Sequence, residues 1–221
     1  YDLIFIDGPK DWTIDGFAFF LSDKLLKING WIVFDDYMWS DYEKIDQKVP
    51  DYNPNKFDSI TVYALRLLIL TATRTKEIIE AKFSEFDIDK KVWTIPEHKM
   101  KAGVEHKVPL SDEAIHIVML MRQKHNHEYV FHNKATGKHI SNNAMLVFLK
   151  KHYTKKKVTV HGFRSTFRTW AEEAGQYQHH AIEFCLAHQL PTKVEKSYLR
   201  TNLFEMRKKI MNDWEEFLIK N

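Results

Sequence analysis

The sequence holds one cysteine, Cys185, in 221 residues. A lone thiol excludes an internal disulfide framework and cannot by itself build a thiolate metal site, which points to a reducing compartment, the cytoplasm. Long apolar runs are also lacking. The longest, around ALRLLILTA, contains Arg66 and falls well short of a bilayer span, and the opening YDLIFIDG has neither the basic region nor the small-residue cleavage site of a signal peptide. No membrane role is expected. The chain also lacks an initiator methionine and opens on an apolar strand-like run, which reads as a fragment or a processed chain. Apart from the short basic run KKKV at 155–158, it shows no internal repeat or low-complexity segment.

The length allows one large domain or two small ones with a substantial core. Charge is plentiful but uneven. Residues 1–56 hold 6 Lys and 11 Asp/Glu, against 27 Lys/Arg and 19 Asp/Glu in residues 57–221, so the net +3 divides into −5 and +8. A basic C-terminal portion suits a polyanionic partner such as nucleic acid, whereas the acidic opening does not. Two origins are implied.

The opening reads as a β-α-β unit: DLIFID and GWIVFDD are strand-like, and TIDGFAFFLSDKLLKING between them has helical spacing and ends at Gly30. Two strands and a helix cannot bury both faces of a sheet, so this unit, residues 1–39, is incomplete. Residues 40–57 are polar, carry Pro50 and Pro54, and read as a linker. From residue 58 the pattern is mostly helical: DSITVYALRLLILTA with Ser59 as its cap, TKEIIEAKF, and further helices at 111–125, 141–152, 164–175, 178–187 and 202–219. Extended runs at 92–95 and 105–109 flank a basic loop with Gly103, a β-hairpin pattern. The fold class is therefore α+β, mostly helical with a small antiparallel sheet. The last helix presents Leu203, Met206, Ile210, Trp214 and Phe217 as an apolar stripe that needs a cover, either in cis or on a neighbouring protomer.

HGFRSTFRTW, residues 161–170, places His161, Arg164 and Arg168 at i, i+3 and i+7, roughly one helix face, with Phe163, Phe167 and Trp170 toward the other. Alone, this is an amphipathic helix with a solvated cationic face. Taken with TATRTKE, KMKAGVEHKVPLS and LAHQLPTKVEKSYLR, in this order and spacing, residues 58–221 resemble the catalytic domain of tyrosine recombinases, and phage-type integrases in particular. The resemblance implies that Arg74 is the first arginine of the family's site, Lys101 its hairpin lysine, His161 and Arg164 its His-x-x-Arg pair, His188 its second histidine and Tyr198 its nucleophile. It implies double-stranded DNA as partner, self-association on that DNA, and no metal or other cofactor.

Chemistry agrees with that set. Attack on a phosphodiester gathers negative charge on the nonbridging oxygens, which the planar guanidinium groups of Arg74 and Arg164 can hold. A phenol with a pKa near ~10 needs a base or a strongly positive site to lose its proton, and His161 is the candidate base for Tyr198. A lysine on a flexible hairpin can protonate the departing 5′ oxygen. Lys99 and Lys107 compete with Lys101, which sits just before the Ala-Gly turn where reach is greatest. His188 would hydrogen-bond the phosphate or steady the site, and Glu77 could orient Arg74. Tyr198 and His188, each taken singly, read as an ordinary helix tyrosine and an ordinary core or surface histidine.

Ala72 stands where the family usually has glycine, which bears on the turn that aims Arg74. The tripeptide His125-Asn126-His127 lacks the dispersed ligands of the metal nucleases its letters suggest, and the remaining histidines scatter without ligand spacing. Residues 1–39 resemble the later strands of a class I S-adenosylmethionine-dependent methyltransferase, without the glycine-rich loop that would hold the cofactor, so methyl transfer is not expected. Two alternatives stand beside an active integrase: a decayed remnant that binds DNA without recombining it, and a methyltransferase-related fragment. Family members normally grip DNA with a helical core-binding domain ahead of the catalytic one, which residues 1–57 do not resemble. Weak, salt-dependent DNA binding without recombination is the corresponding expectation.

Overall fold

The computed structural model describes the backbone of residues 3–6 and 31–34, and residues 59–152, 158–188 and 203–220. The chain divides into two compact units, Tyr1–Asp58 with Glu216–Asn221, and Ser59–Glu215. In the first, strands β1 (Leu3–Ile6) and β2 (Trp31–Phe34) pair in parallel, Leu3 opposite Trp31 and Ile6 opposite Phe34. Parallel pairing is what a crossover connection requires; the helix read between them lies outside the described residues, as does the linker at 40–57.

The second unit is built around α1 (Ile60–Thr71), which is buried continuously from Ala64 to Thr71. Such a helix belongs at the centre of a fold rather than on its surface. Ser59 caps it by accepting from the Val62 N–H at 3.3 Å. Arg66, the charge inside the apolar run, is buried and pairs with Glu113 at 2.7 Å, which offsets the cost of desolvating it. At the far end Ala72 adopts the left-handed conformation, φ 49° and ψ 28°, and turns the chain toward α2 (Thr75–Ile79).

A three-stranded antiparallel sheet follows, in the order β3 (Phe86–Asp87), β4 (Val92–Ile95), β5 (His106–Pro109). In β4 the inward residues Trp93 and Ile95 alternate with Val92 and Thr94. Trp93 stacks on Phe86 with ring centroids 5.0 Å apart and donates its indole N–H to Glu85 at 3.0 Å. The β4–β5 connection carries the basic loop, and Gly103 supplies its positive φ of 62°. Beyond it come α3 (Asp112–Lys124), the short pair β6 (His132–Asn133) and β7 (Lys138–His139), α4 (Ala144–His152), α5 (Gly162–Glu173), α6 (His179–Cys185) and α7 (Phe204–Lys220). The histidines of the HNH tripeptide serve local packing: His125 contacts the Val130 carbonyl through Nε2 at 3.1 Å, and His127 stacks on His132.

The stripe expected on the last helix is rotated. Over Phe204–Glu215 the buried residues of α7 are Arg207, Ile210, Met211 and Trp214, while Met206 is only half-buried. Trp214 donates to the Ile69 carbonyl at 2.9 Å and packs edge-on against Phe167, so this face is covered in cis. Arg207 shifted the stripe because its guanidinium finds the Lys107 carbonyl and the face of Phe204, partners that apolar periodicity does not register. No helix among the described residues is long and apolar enough to cross a membrane.

Candidate active site

The left-handed turn at Ala72 delivers Arg74 to the N-cap of α2. The Glu77 carboxylate, itself buried, accepts from the Arg74 backbone N–H at 2.7 Å and from its guanidinium Nη1 at 2.9 Å. One acidic side chain thus caps the helix and fixes the arginine. Its second guanidinium nitrogen, Nη2, reaches the Leu186 carbonyl at 3.5 Å.

Arg164, on the first turn of α5, is 4% exposed. Its Nη1 donates to the Ala72 carbonyl, just past α1, and its Nη2 to the Leu186 carbonyl at 2.7 Å, just past α6. Both carbonyls lie at helix C-termini, where the partial negative charge favours a cation. Burial, and then the neighbouring positive charge of Arg74, pull the Arg164 pKa down to about 10. A guanidinium remains charged at neutral pH at that value, so the two arginines form a concentrated positive site, Arg164 held by backbone oxygens and Arg74 by the Glu77 carboxylate.

The face read from HGFRSTFRTW divides on folding. Phe163 and Phe167 are buried as expected, but so is Arg164, whereas His161, at the N-cap of α5, and Arg168 are exposed. The i, i+3, i+7 spacing does not separate a solvated arginine from one that buries its stem and satisfies its head on carbonyls.

His188 follows the C-terminus of α6, whose chain turns through a left-handed Ala187, φ 51°. Its Nδ1 lies 2.7 Å from Oε2 of Glu183, whose Oε1 is 2.8 Å from Nε of Arg168. Arg168 is therefore committed to a carboxylate. Lys101 is exposed at the hairpin turn. Its competitor Lys99 is withdrawn into a buried pair with Glu85 and donates to the Glu80 carbonyl at 2.6 Å, while Lys107 lies on β5. The structure thus brings Arg74, Arg164 and the segment bearing His188 together at the end of α6, with His161 a turn before Arg164 and Lys101 on the exposed hairpin. Tyr198 lies outside the described residues.

Sequence reasoning missed His106 and Glu183. His106, on β5, interacts with the Cys185 main chain. Burial, followed by the positive charges of Arg207, Arg74 and Arg164, lowers its pKa to about 3, so it is neutral beside the cationic site. Its signal is the His-x-Val-Pro-Leu stretch, residues 106–110, in the second strand of the hairpin. Glu183 gave no periodic signal, being five residues before its histidine. Among the described residues one group could hold a metal ion, with ligand atoms of Glu172, His179 and Glu183 within 4.8 Å of one another. Glu172 already contacts His179 at 2.7 Å, and Glu183 serves Arg168 and His188, so ion pairing accounts for the cluster.

The model of the phage integrase family matches residues 41–203, a span that starts inside the segment read as a linker. The prophage integrase IntZ of Escherichia coli (strain K12) is 32% identical over 154 residues, covering 69% of this chain and 38% of that protein. The integrase of Enterobacteria phage P4 is 32% identical over 180 residues, covering 73% of this chain and 41% of that protein. The chain thus spans about two fifths of the length of these relatives. Among solved structures, the integrase from mycobacterium phage Brujita shares the fold with a TM-score of 0.55 at 19% identity, over 73% of this chain and 56% of that one. The methyltransferase likeness of residues 1–39 finds no counterpart in these matches. A match over most of the chain, with its arginines gathered on one compact unit, makes this chain a member of the phage integrase family.

Proposed function

We propose that this chain carries the strand-cleaving and rejoining centre of a site-specific DNA recombinase, acting through a covalent 3′-phosphotyrosine. The observation that carries the reading is the meeting of Arg74 and Arg164 at the Leu186 carbonyl. Two guanidinium groups, one fixed by backbone oxygens and the other by the Glu77 carboxylate, with further N–H donors to spare, suit a phosphate whose nonbridging oxygens gain charge in the transition state.

Tyr198 attacks the scissile phosphorus, forming the phenolic P–O bond as the bond to the 5′ oxygen breaks. His161 takes the phenolic proton, and Lys101 donates one to the departing 5′ oxygen. His188 hydrogen-bonds the phosphate. Reversal by an incoming 5′ hydroxyl rejoins the strand, and because the phosphotyrosine conserves the bond energy no cofactor enters the balance. The burial of Lys99 supports Lys101 as the acid, since an ammonium locked on Glu85 is not available to substrate. Double-stranded DNA is the substrate, and self-association on it brings the strands to be exchanged together.

Incubation with a duplex carrying a nick next to the cleavage point, which lets the short 5′ fragment diffuse away, should trap a protein–DNA adduct at Tyr198. Tyr198→Phe should abolish it. An adduct that forms equally well with phenylalanine at 198 overturns the nucleophile assignment, and no adduct from the unaltered chain counts against the activity itself.

A further inference from the structure

Glu183 holds His188 twice. At the C-terminus of α6 the left-handed Ala187 folds the chain back, so the Ala187 N–H bonds the Phe184 carbonyl at 3.2 Å and the His188 N–H bonds the Glu183 carbonyl at 3.0 Å. That six-residue closure is the Schellman pattern of helix ends. It places the His188 ring over the Glu183 side chain, where Nδ1 meets Oε2 at 2.7 Å. A straight helix does not bring residues five apart into contact, so the turn and the carboxylate work as one clamp.

We propose that Glu183 is a positioning residue of the cleavage site: its carboxylate accepts the Nδ1–H of His188 and turns Nε2 toward the reacting phosphate, to which Nε2 donates once it too carries a proton. This rests on the phosphotransfer reading above. The Glu183 side chain is 16% exposed, and its other oxygen, Oε1, lies 2.8 Å from Nε of Arg168 in an ion pair without hydrogen-bond geometry. An Arg168–Glu183 pair on the surface by itself contributes little to stability, with a median of about 0–1 kcal/mol. Its consequence lies in orientation. An imidazole bonded through Nδ1 has a fixed ring plane and tautomer. Glu183 also lies within electrostatic reach of Arg164, so its negative charge balances the cationic site without contacting the phosphate-binding guanidinium groups. Leu186, whose carbonyl holds both arginines, lies between Glu183 and His188, so one short segment sets the arginines and the histidine together.

The test reads the ring nitrogens directly. In the full chain labelled with 15N-histidine, long-range 1H–15N spectra of His188, assigned through His188→Gln, should show Nδ1 as the protonated nitrogen of the neutral ring. Glu183→Ala should move the proton to Nε2, and Glu183→Gln, which keeps an acceptor oxygen at Nδ1, should restore the original form. Adduct formation on the nicked duplex should fall by about 10–100-fold in Glu183→Ala, the usual cost of losing a partner that orients a site histidine, and recover largely in Glu183→Gln. An unchanged tautomer in Glu183→Ala overturns the proposal, as does an undiminished adduct yield in that variant. If the unaltered chain forms no adduct, the phosphotransfer reading fails, and the ring nitrogens still decide whether Glu183 fixes His188.

Discussion

Lys99 and Glu85 form an ion pair in which the two side chains are only 8% and 9% exposed. The Glu85 carboxylate also accepts the indole N–H of Trp93, and the Lys99 ammonium donates to the Glu80 carbonyl, so the pair anchors the base of the hairpin that displays Lys101. Breaking a buried pair from one side typically costs about 3–5 kcal/mol, because the surviving charge stays desolvated. Lys99→Met should therefore lower the urea midpoint markedly. Lys101→Ala, at an exposed position, should change stability by less than about 0.5 kcal/mol. Its effect should fall on cleavage, and a duplex with sulfur in place of the bridging 5′ oxygen should restore it, since a thiolate leaves without an acid. Failure of sulfur to rescue Lys101→Ala would remove the acid role.

His106 links stability to pH. Its folded pKa of about 3 lies below the unfolded value near 6.5, so between those limits the unfolded chain binds more protons and stability rises with pH. The contribution is complete above about pH 6.5 and declines on acidification by about 1.4 kcal/mol per pH unit, roughly 2 kcal/mol by pH 5. His106→Gln should flatten that part of the profile in urea titrations at pH 7 and 5. Equal losses in the variant and the parent would show that His106 is not the group responsible.

Ala72 occupies a left-handed turn at φ 49° with its methyl buried. Relief of left-handed strain is worth about 1–2 kcal/mol, and loss of a buried methyl costs about 0.8 kcal/mol. Ala72→Gly should thus stabilise the chain by up to about 1 kcal/mol, a rise in Tm of roughly 2–4 °C for a unit of this size. The Ala72 carbonyl would still receive Arg164, so the positive site should persist. A fall in Tm would mean that packing of the methyl outweighs the backbone.

Local sequence determined the elements. Ser59 begins α1, Gly103 turns the hairpin, and the helices from α3 to α7 fall within a few residues of their apolar periodicity, because caps, turns and periodicity act over a few residues and are written in the chain itself. The family resemblance carried by the motifs likewise points to Arg74, Arg164 and His188. Tertiary structure decided what no window contains. Whether Arg164 is solvated or buried depends on carbonyls at Ala72 and Leu186, far away in sequence. Whether Lys99 or Lys101 is available depends on Glu85. Arg207 turned the buried face of α7 because Lys107 offered it an oxygen, and Arg168, still exposed, is paired with Glu183. A charged side chain is buried only where partners offset its desolvation, and those partners are supplied by the fold rather than by neighbouring residues.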